Sequence, residues 1–468
     1  MLYQMLQARE DRAARQQDLL TRFGKPLVCF TMNIPGPVKD SPLIRRSFRW
    51  GLQWLDAAVP SPLYREIREE VTGCEGYFAV DLDPPELKRI CTRIEDETPV
   101  GRLFDMDVLD EGGNKLDRSL VDGKSRDCIV CGAPGRGCAS RRIHSVAELT
   151  AAANGIMERH FLEEDSRRIA ALVTESLLEE VHTTPKPGLV DRRNTGSHRD
   201  MDLELFTASA FALEPYFAQC VRIGRETAEK PPEEAFLSLR SAGREAEEIM
   251  FRTTGGVNTH KGAIFTLGLL CGSIGRLWTA DAPVPDRRDL LDRCAELAAC
   301  SLKADLEGLT SAKTAGEALY LSRGITGIRG EAAAGLPSVE KIALPAFREA
   351  LSRGLSRNGA GAAALLHLIA RVEDTNLCHR GGAEGAAWAK QEAASLLPCP
   401  TEKQLEALDD AFIARNLSPG GCADLLAATY FLDKLTVLAC AGGYAPAGNT
   451  LRTCTTSPPS ALLDSGPR

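Results

Sequence analysis

The spacing of apolar and polar residues divides the chain into two parts of different character. Up to about residue 165, short runs rich in β-branched and aromatic residues alternate with segments of helical spacing. The runs that predict strands are 26–34, 76–83 and 101–109. The segments that predict helices begin with Ser-Pro and Pro-Pro and span 41–59 and 84–97. We therefore expect an α+β or α/β domain with a small mixed sheet at residues 1–165.

From residue 166 the apolar residues follow helical spacing almost without interruption. Alanine and leucine are abundant, glycine-rich loops separate the helices, and the sequence contains no convincing strand. This pattern predicts an all-α domain at residues 166–448 and a polar, proline-rich tail at 449–468 that we expect to be disordered. The boundary between the domains is expected within 150–168, inside a helix rather than in a flexible linker.

Composition narrows the possible functions. The chain of 468 residues, 44% of them apolar and 26% charged, is typical of soluble globular proteins. Its formal net charge of −8 provides no basic field, so we expect no nucleic-acid partner. The N-terminus lacks a signal-peptide core, and the most apolar stretch, 262–278, is short for a membrane span. Fifteen scattered cysteines suit a reducing compartment, so we predict a cytoplasmic protein without a membrane anchor.

The run 101–109 carries a pair of aspartates in an otherwise apolar strand. Because side chains alternate along a strand, Asp105 and Asp107 share one face, while Phe104 and Met106 point to the other. Aspartate is depleted in strands, so the pair predicts a Mg²⁺ site whose shell substrate phosphate oxygens would complete. The alternative is a solvated strand face.

A Pro/Gly-rich loop and the following helix supply positive charge. Lys39, Arg45 and Arg46 lie at the predicted beginning of this helix, where a phosphate would find backbone N–H groups and cations together. They are candidate phosphate ligands. The alternative is a loop with ordinary surface cations.

Three cysteines and a histidine follow one another in a glycine-rich segment. Cys128, Cys131, Cys138 and His144 have an acceptable zinc-binding pattern, although the second pair of ligands is spaced irregularly for a zinc ribbon. Reduced structural thiols are the alternative. Several arginines crowd the same segment, so a phosphate-binding role is equally open.

Five polar, glycine-rich junctions separate the helices of the second part: 183–202, 253–265, 327–340, 372–382 and 416–427. Their chemically versatile residues are Lys186, Asp191, His198, Asp200, Asp202, Asn258, His260, Lys261, Arg329, Glu331, Asp374, Asn376, His379, Arg380, Ser418, Gly420, Gly421 and Asp424. Each junction alone is most often a helix cap or a turn. Together they predict that several junctions meet and form a site for a phosphorylated ligand with a metal ion.

These motifs also carry a family resemblance. Residues 1–165 resemble the holo-citrate lyase synthases, the phosphoribosyl-dephospho-CoA transferases, in "TMNIPGPVKDSPLIRRSFRWG", "GRLFDMDV" and "RDCIVCGAPGRGCASRRIHSVAEL". Residues 166–448 resemble the triphosphoribosyl-dephospho-CoA synthases in "TPKPGLVDRRNTGSHRDMD", "GVNTHKGAIFTLGLL", "GIRGEAAAGLPSV", "DTNLCHRGG" and "LSPGGCADLLAATYFL". The two activities are usually on separate chains, so this chain is similar to a fused, bifunctional form with a nucleotidyltransferase-like N-terminal domain.

The resemblance implies a reaction for each domain. The second domain would join ATP to 3′-dephospho-CoA with release of adenine. The first would transfer the product to a serine of the citrate lyase acyl carrier subunit with release of pyrophosphate, and Mg²⁺ on Asp105 and Asp107 would stabilise the leaving group.

The same resemblance implies roles in the synthase domain. Candidates for binding the triphosphate are Lys186, Lys261 and Arg380. Candidates for Mg²⁺ binding or for stabilising the cationic sugar are Asp200, Asp202 and Asp374. The remaining candidates for nucleotide binding are Asn258, His260, Arg329, Glu331, Asn376 and His379.

Two alternatives from other classes stay open at this point. One is a Mg²⁺-dependent ADP-ribosyl or nucleoside hydrolase, which would release adenine without dephospho-CoA. The other is a zinc-stabilised chaperone for a carrier protein, which would have no turnover and would leave the aspartate pair and the five junctions unexplained.

Overall fold

The computed structural model describes residues 2–440 with short gaps. The gaps are at 60, 122, 124–125, 135–137, 139–140, 306–308, 313–314 and 399. The end of the predicted helical domain at 448 and the predicted tail at 449–468 lie outside the described residues.

The N-terminal part contains four strands and three helices before residue 110. They are α1 (Leu2–Phe23), β1 (Leu27–Met32), α2 (Pro42–Ala58), β2 (Tyr64–Glu70), β3 (Gly73–Ala79), α3 (Pro84–Glu97) and β4 (Phe104–Leu109). The strands form one sheet in the order β2-β3-β1-β4, and every pair of neighbours is antiparallel. The prediction of a mixed sheet is therefore wrong, and β2 was not predicted.

The local signals for the two predicted helices are seen directly. Ser41 caps α2 by accepting the backbone N–H of Ile44, and Asp83 caps α3 in the same way. A proline follows each cap, where its missing N–H costs nothing. The beginning of the predicted third strand differs: Pro99–Leu103 forms a 3₁₀ turn that leads into β4.

The sheet separates two apolar clusters. On one face, α2 and α3 pack against a core that includes Phe30 and Phe104, whose rings lie 5.2 Å apart. On the other, Leu19 and Leu20 of α1 contact Cys29 in β1. Cys29 is the register partner of Asp107, so the aspartates of β4 face the side that α1 partly covers.

One long helix, α4 (Val146–His182), runs through the range 150–168 where the boundary was expected. It begins with a capping box formed by Ser145 and Glu148. Because the helix is continuous across this range, the two parts of the chain are connected without a loop.

Every further element that the structure describes is helical. The helices are α5 (Leu203–Glu226), α6 (Pro232–Thr253), α7 (Lys261–Leu277), α8 (Arg287–Asp305), α9 (Ala315–Arg323), α10 (Gly327–Ala333), α11 (Leu344–Ser352), α12 (Arg357–Arg371), α13 (Thr375–Ser395), α14 (Glu402–Ala414) and α15 (Gly420–Cys440). They share one large apolar core with α4. Among the residues described, no helix combines the length and apolar character that a bilayer span requires.

Candidate active sites

The aspartate pair of β4 has the predicted alternation. The side chains of Asp105 and Asp107 are half-buried, whereas Phe104 and Met106 are buried in the core. Asp107 Oδ1 forms an ion pair of 2.5 Å with Lys115 Nζ. Burial and the neighbouring Asp107 carboxylate raise the pKa of Asp105. Two adjacent carboxylates, one of them costly to ionise, form an oxygen donor set that fits a divalent cation such as Mg²⁺.

Three charged side chains contact the outer edge of β4. The sequence gave no role to Glu95 and Lys88, and Arg126 is one of the arginines near the cysteines for which phosphate binding was open. The backbone N–H of Met106 donates to Glu95 Oε1 at 2.8 Å, and its carbonyl accepts from Lys88 Nζ at 3.0 Å. Arg126 donates to the carbonyl of Phe104 at 2.8 Å and pairs with Glu95 at 2.5 Å. These contacts satisfy backbone groups of an edge strand, so they fix β4 and its aspartates in place.

Two predicted phosphate ligands near the beginning of α2 already have partners in the protein. Lys39 Nζ donates to the carbonyl of Ile34, and burial followed by the charge of Arg9 lowers the pKa of Lys39. Arg45 makes two hydrogen bonds of 2.6 Å to Asp40, which hold the pKa of Asp40 below its usual range. A substrate phosphate would have to share or displace these partners.

The structure corrects the expected role of Arg46. Only 6% of this residue is exposed. Its guanidinium donates to the two oxygens of Asp165 at 2.6 and 3.0 Å and to the carbonyl of Ala280 at 2.7 Å. Trp278 Nε1 donates to the same carboxylate at 2.8 Å, and the guanidinium lies 4.0 Å from the ring centre of Phe161. Arg46 therefore joins α2 to α4 and to the loop after α7, and it is not placed to bind substrate phosphate.

The predicted zinc ligands come together in the loop before α4. The ligand atoms of Cys128, Cys131, Cys138 and His144 all lie within 4.8 Å of one another. The backbone N–H groups of Cys131 and Val130 lower the pKa of the Cys128 thiol to about 7. Three sulfurs and one imidazole nitrogen at such distances form a donor set that fits a tetrahedral metal ion.

A cavity of about 890 Å³ lies in the helical part, and all five polar junctions contribute to its wall. The predicted site residues in the wall are Asp200, Asn258, His260, Lys261, Glu331, Asp374, Asn376, His379 and Arg380. The wall also contains His198, Ser418 and Asp424, which the sequence named as junction residues without a specific role, and Glu180 of α4, which the sequence did not single out. The structure thus brings the five junctions together around a single space.

The other predicted residues of the helical part are placed elsewhere in the described structure. Lys186 is 1% exposed and does not line the cavity, and its Nζ lies 2.5 Å from Oε1 of Glu180, which does. Asp202 caps α5 by accepting a backbone N–H of the first turn at 2.9 Å. Arg329 lines a neighbouring cavity of about 230 Å³, whose wall also includes Lys261. Neither Lys186 nor Asp202 lines the cavity, and both make contacts within the protein, so their direct contact with substrate stays a prediction.

Asp374 holds two junctions together. Its Oδ1 accepts the backbone N–H groups of Asn376 and Leu377 at 2.7 and 3.1 Å, which caps α13. Its Oδ2 accepts the backbone N–H of Cys422 at 2.8 Å, in the first turn of α15. Burial raises the pKa of Asp374, and these N–H groups oppose the increase. One carboxylate therefore fixes the beginnings of two helices at the cavity wall.

Asp424 is a half-buried carboxylate of the cavity wall that lies close to other acidic groups. Burial and the charges of Glu180 and Asp374 raise its pKa well above the usual range, opposed by a hydrogen bond from the backbone N–H of Ala263. A Cβ built on Gly262 would lie 2.0 Å from Asp424 Oδ2, so only glycine allows the carboxylate to approach α7 so closely. Asp424 lies in the junction "NLSPGGCADLLA", but its raised pKa depends on Glu180 and Asp374, which are distant in sequence.

Two histidines in the wall are neutral at pH 7. Burial and the charge of Arg380 lower the pKa of His198 to about 4, and His198 Nε2 lies 2.9 Å from Ser418 Oγ. Burial lowers the pKa of His260 to about 3, and its Nδ1 lies 2.8 Å from Ser209 Oγ. Both rings are therefore hydrogen-bonding groups rather than cations.

Two sequence families match this chain. Residues 166–441 match the family described as "ATP:dephospho-CoA triphosphoribosyl transferase". Residues 1–160 match the family described as "Apo-citrate lyase phosphoribosyl-dephospho-CoA transferase". The first match includes the cavity, and the second includes the aspartates of β4.

Curated relatives repeat this arrangement. The chain is 38% identical over 449 residues to "Protein CitXG" of Haemophilus influenzae, a match that covers 91% of this chain and 94% of that protein. It is 45% identical over 276 residues to the "2-(5''-triphosphoribosyl)-3'-dephosphocoenzyme-A synthase" of Pectobacterium atrosepticum, covering 59% of this chain and 90% of that protein. The chain therefore belongs to the fused proteins that combine an apo-citrate lyase phosphoribosyl-dephospho-CoA transferase with an ATP:dephospho-CoA triphosphoribosyl transferase.

Proposed function

We propose that the chain makes and attaches the prosthetic group of citrate lyase in two steps. The helical domain, 166–448, joins ATP to 3′-dephospho-CoA and releases adenine. The N-terminal domain, 1–165, transfers the resulting triphosphoribosyl-dephospho-CoA to a serine of the acyl carrier subunit and releases pyrophosphate. Both substrates of the first step are cytoplasmic metabolites, so we place the protein in the cytoplasm.

The observation that carries the first step is the meeting of five junctions around one cavity of about 890 Å³. This volume is in the range of nucleotide-sized ligand sites. Lys261 and Arg380 supply positive charge for the triphosphate, and the exposed Asn376 and His379 supply hydrogen bonds for the base. We assign Asn258, Glu331 and the neutral His260 to further contacts with the nucleotide.

Asp424 is the group that we assign as general base. In the first step the 2′-hydroxyl of dephospho-CoA attacks C1′ of the ATP ribose, the C1′–N bond breaks, and adenine leaves with the electron pair and takes up a proton from water. Asp424 takes the hydroxyl proton, because its raised pKa makes it a stronger proton acceptor than an ordinary aspartate. The exposed Asp200 stabilises the positive charge that develops on the sugar, and Asp374 maintains the wall.

The aspartates of β4 form the transferase site in this proposal. The serine oxygen attacks the phosphorus next to the added ribose, and the bond to the pyrophosphate breaks. Asp105 and Asp107 would hold Mg²⁺, which would neutralise charge on the departing pyrophosphate. Lys39 and Arg45 would then exchange their present partners for oxygens of the substrate.

The first experiment uses the full chain with ATP, Mg²⁺ and 3′-dephospho-CoA, without carrier protein. Mass spectrometry should detect adenine together with the triphosphoribosyl adduct, and neither product without dephospho-CoA. Adenine without the adduct would instead indicate a hydrolase. Absence of adenine would refute the assignment of the first step.

Variants then separate the two sites. Asp107→Asn should abolish transfer to the carrier and leave adenine release intact, and Asp110→Asn in the adjacent turn is its control. Asp424→Asn should lower adenine release by at least about a hundredfold, in the range general bases contribute, with Asp433→Asn on the same helix as control. The wild-type rate of adenine release should rise with pH through the raised pKa of Asp424, whereas a fall with pH would make Asp424 an acid instead.

A further inference from the structure

The loop between β4 and α4 contains a four-residue donor cluster for which neither transfer reaction has a use. The sulfurs of Cys131 and Cys138 lie 3.5 Å apart, and His144 Nε2 lies 3.3 Å from the sulfur of Cys131. Together with the Cys128 sulfur, all four atoms lie within 4.8 Å of one another. A tetrahedral zinc ion with bonds of about 2.3 Å to sulfur and about 2.0 Å to nitrogen holds its donors roughly 3.5 Å apart.

The chemistry of the donors selects the ion. Thiolates and imidazole favour zinc over the oxygen-seeking Mg²⁺. Four protein donors complete a tetrahedral shell and leave no position for water or substrate, which is the arrangement of a structural rather than a catalytic site. A disulfide between Cys131 and Cys138 would use two of the donors and leave Cys128 and His144 without a purpose.

The cluster is connected to the aspartate strand through the residues that precede it. Cys128 follows Arg126 and Asp127 directly. Arg126 donates to the carbonyl of Phe104 at 2.8 Å and pairs with Glu95, and Arg102 donates to the carbonyl of Asp127. These contacts meet the chain immediately before Asp105 of β4.

The other end of the cluster is connected to α4. His144 directly precedes Ser145, which caps that helix by accepting the N–H of Glu148 at 3.2 Å. An ion bound by Cys128 and His144 would therefore tie the edge of β4 to the first turn of α4 across a loop that has little regular structure in its described part.

We propose that Cys128, Cys131, Cys138 and His144 bind one zinc ion, and that this ion holds Arg126 against β4. The binding site stands independently of the transfer reactions. Its second consequence, that the ion positions Asp105 and Asp107, rests on the proposed function of those aspartates. The zinc ligands are thus positioning residues for the transferase site and do not touch its substrates.

Metal analysis of the purified full chain tests the binding site. After dialysis against metal-free buffer, mass spectrometry of the elements should find about one zinc per chain, as a closed four-ligand site retains its ion. Cys131→Ser should lose it, and Cys300→Ser, a half-buried cysteine of α8, should retain it. Cobalt added to the zinc-free chain should give the absorption bands of tetrahedral cobalt thiolate. Wild-type protein that takes up neither ion, or that holds iron or copper instead, would overturn the zinc site.

The fused chain provides its own control for the positioning role. Removing zinc with a chelator should lower transfer to the carrier at least tenfold while adenine release, which depends on the helical domain, stays unchanged. Zinc added back should restore transfer. Cys131→His keeps a zinc ligand at this position, so it should retain the transfer activity that Cys131→Ser loses. The rate of hydrogen exchange of the β4 amides should increase when zinc is removed and return to its original value when zinc is added back. Zinc loss without any change in transfer or in β4 exchange would refute positioning and leave the proposed function untouched.

Discussion

The buried contact of Arg46 with Asp165 permits a sharp test, because the sequence and the structure give this arginine different roles. We consider Arg46→Met, which retains the length of the side chain and removes its charge. The variant loses the three hydrogen bonds of the guanidinium to Asp165 and Ala280 and leaves Asp165, 5% exposed, with the Trp278 indole at 2.8 Å.

The expected loss of stability follows from the burial of the carboxylate that remains. Removing one partner of a buried ion pair typically costs about 3–5 kcal/mol, because the other charge stays desolvated. In a domain of this size, such a loss corresponds to a decrease in melting temperature on the order of 10 °C. Arg46→Met with Asp165→Leu should recover most of the loss, since an apolar pair avoids the desolvation cost altogether.

Calorimetry and both activity assays together decide between the two roles. The control is Arg167→Met, which removes an exposed ion pair with Glu163 on the same helix and should change stability by less than about 1 kcal/mol. The structural role would be refuted if Arg46→Met had the same melting temperature as the control Arg167→Met. If Arg46→Met lost transfer to the carrier while its stability and its adenine release stayed unchanged, Arg46 would instead be a phosphate ligand.

Three further predictions concern the helical domain. His260 is neutral when folded because burial lowers its pKa to about 3, so its contribution to stability is complete above about pH 6.5 and decreases as the pH falls. His260→Asn should remove a slope of about 1.4 kcal/mol per pH unit between about pH 6 and 4 in urea titrations. Gly361→Ala places a Cβ 1.6 Å from Tyr430 Oη and should cost about 1–3 kcal/mol in the same assay. Gly262→Ala should displace Asp424 and lower adenine release at least tenfold without changing transfer to the carrier.

Matched variants control these effects. His379→Asn changes an exposed histidine of the same cavity wall and should retain the slope. Gly359→Ala adds a Cβ with ordinary contacts at the beginning of the same helix and should not destabilise it. If Gly262→Ala released adenine at the normal rate, the close approach of Asp424 to α7 would have no catalytic meaning.

Local signals explain which features could be predicted from the sequence. The caps Ser41 and Asp83, the alternation around Asp105 and the spacing of the cysteine cluster are all encoded within a few residues. Strand β2 was missed because its sequence, YREIREE, has charges at most positions. It lies at an edge of the sheet, where its charged side chains form ion pairs with neighbouring elements. Glu66 of β2, for example, pairs with Arg15 of α1 at 2.9 Å.

Features that depend on distant partners could not be predicted. The partner Asp165 lies 119 residues from Arg46 along the chain, so a cation near a helix start looked like a phosphate ligand. The sequence gave no role to Glu180, because its partner Lys186 and the cavity beside it are brought together only by the tertiary structure. The polar, glycine-rich junctions were identified from the sequence and expected to meet, but which of their residues face the shared cavity depends on the tertiary structure.

We assign Asp374 a structural role and Asp424 a catalytic role in the cavity, and stability and activity measurements can separate the two. Asp374 uses both oxygens for backbone N–H groups of α13 and α15, so Asp374→Ala should cost about 1–2 kcal/mol or more as a lost helix cap, and adenine release should fall with the fold. Burial and two neighbouring carboxylates raise the pKa of Asp424 in the folded protein, which disfavours its charged form. Asp424→Asn removes this unfavourable effect, so it should increase the free energy of unfolding at pH 7 while adenine release is lost. Equal destabilisation by both variants would mean that Asp424 is a second structural cap. A stable but inactive Asp424→Asn would show that this carboxylate lowers the stability of the helical domain and is needed for catalysis, because the same carboxylate accepts the proton.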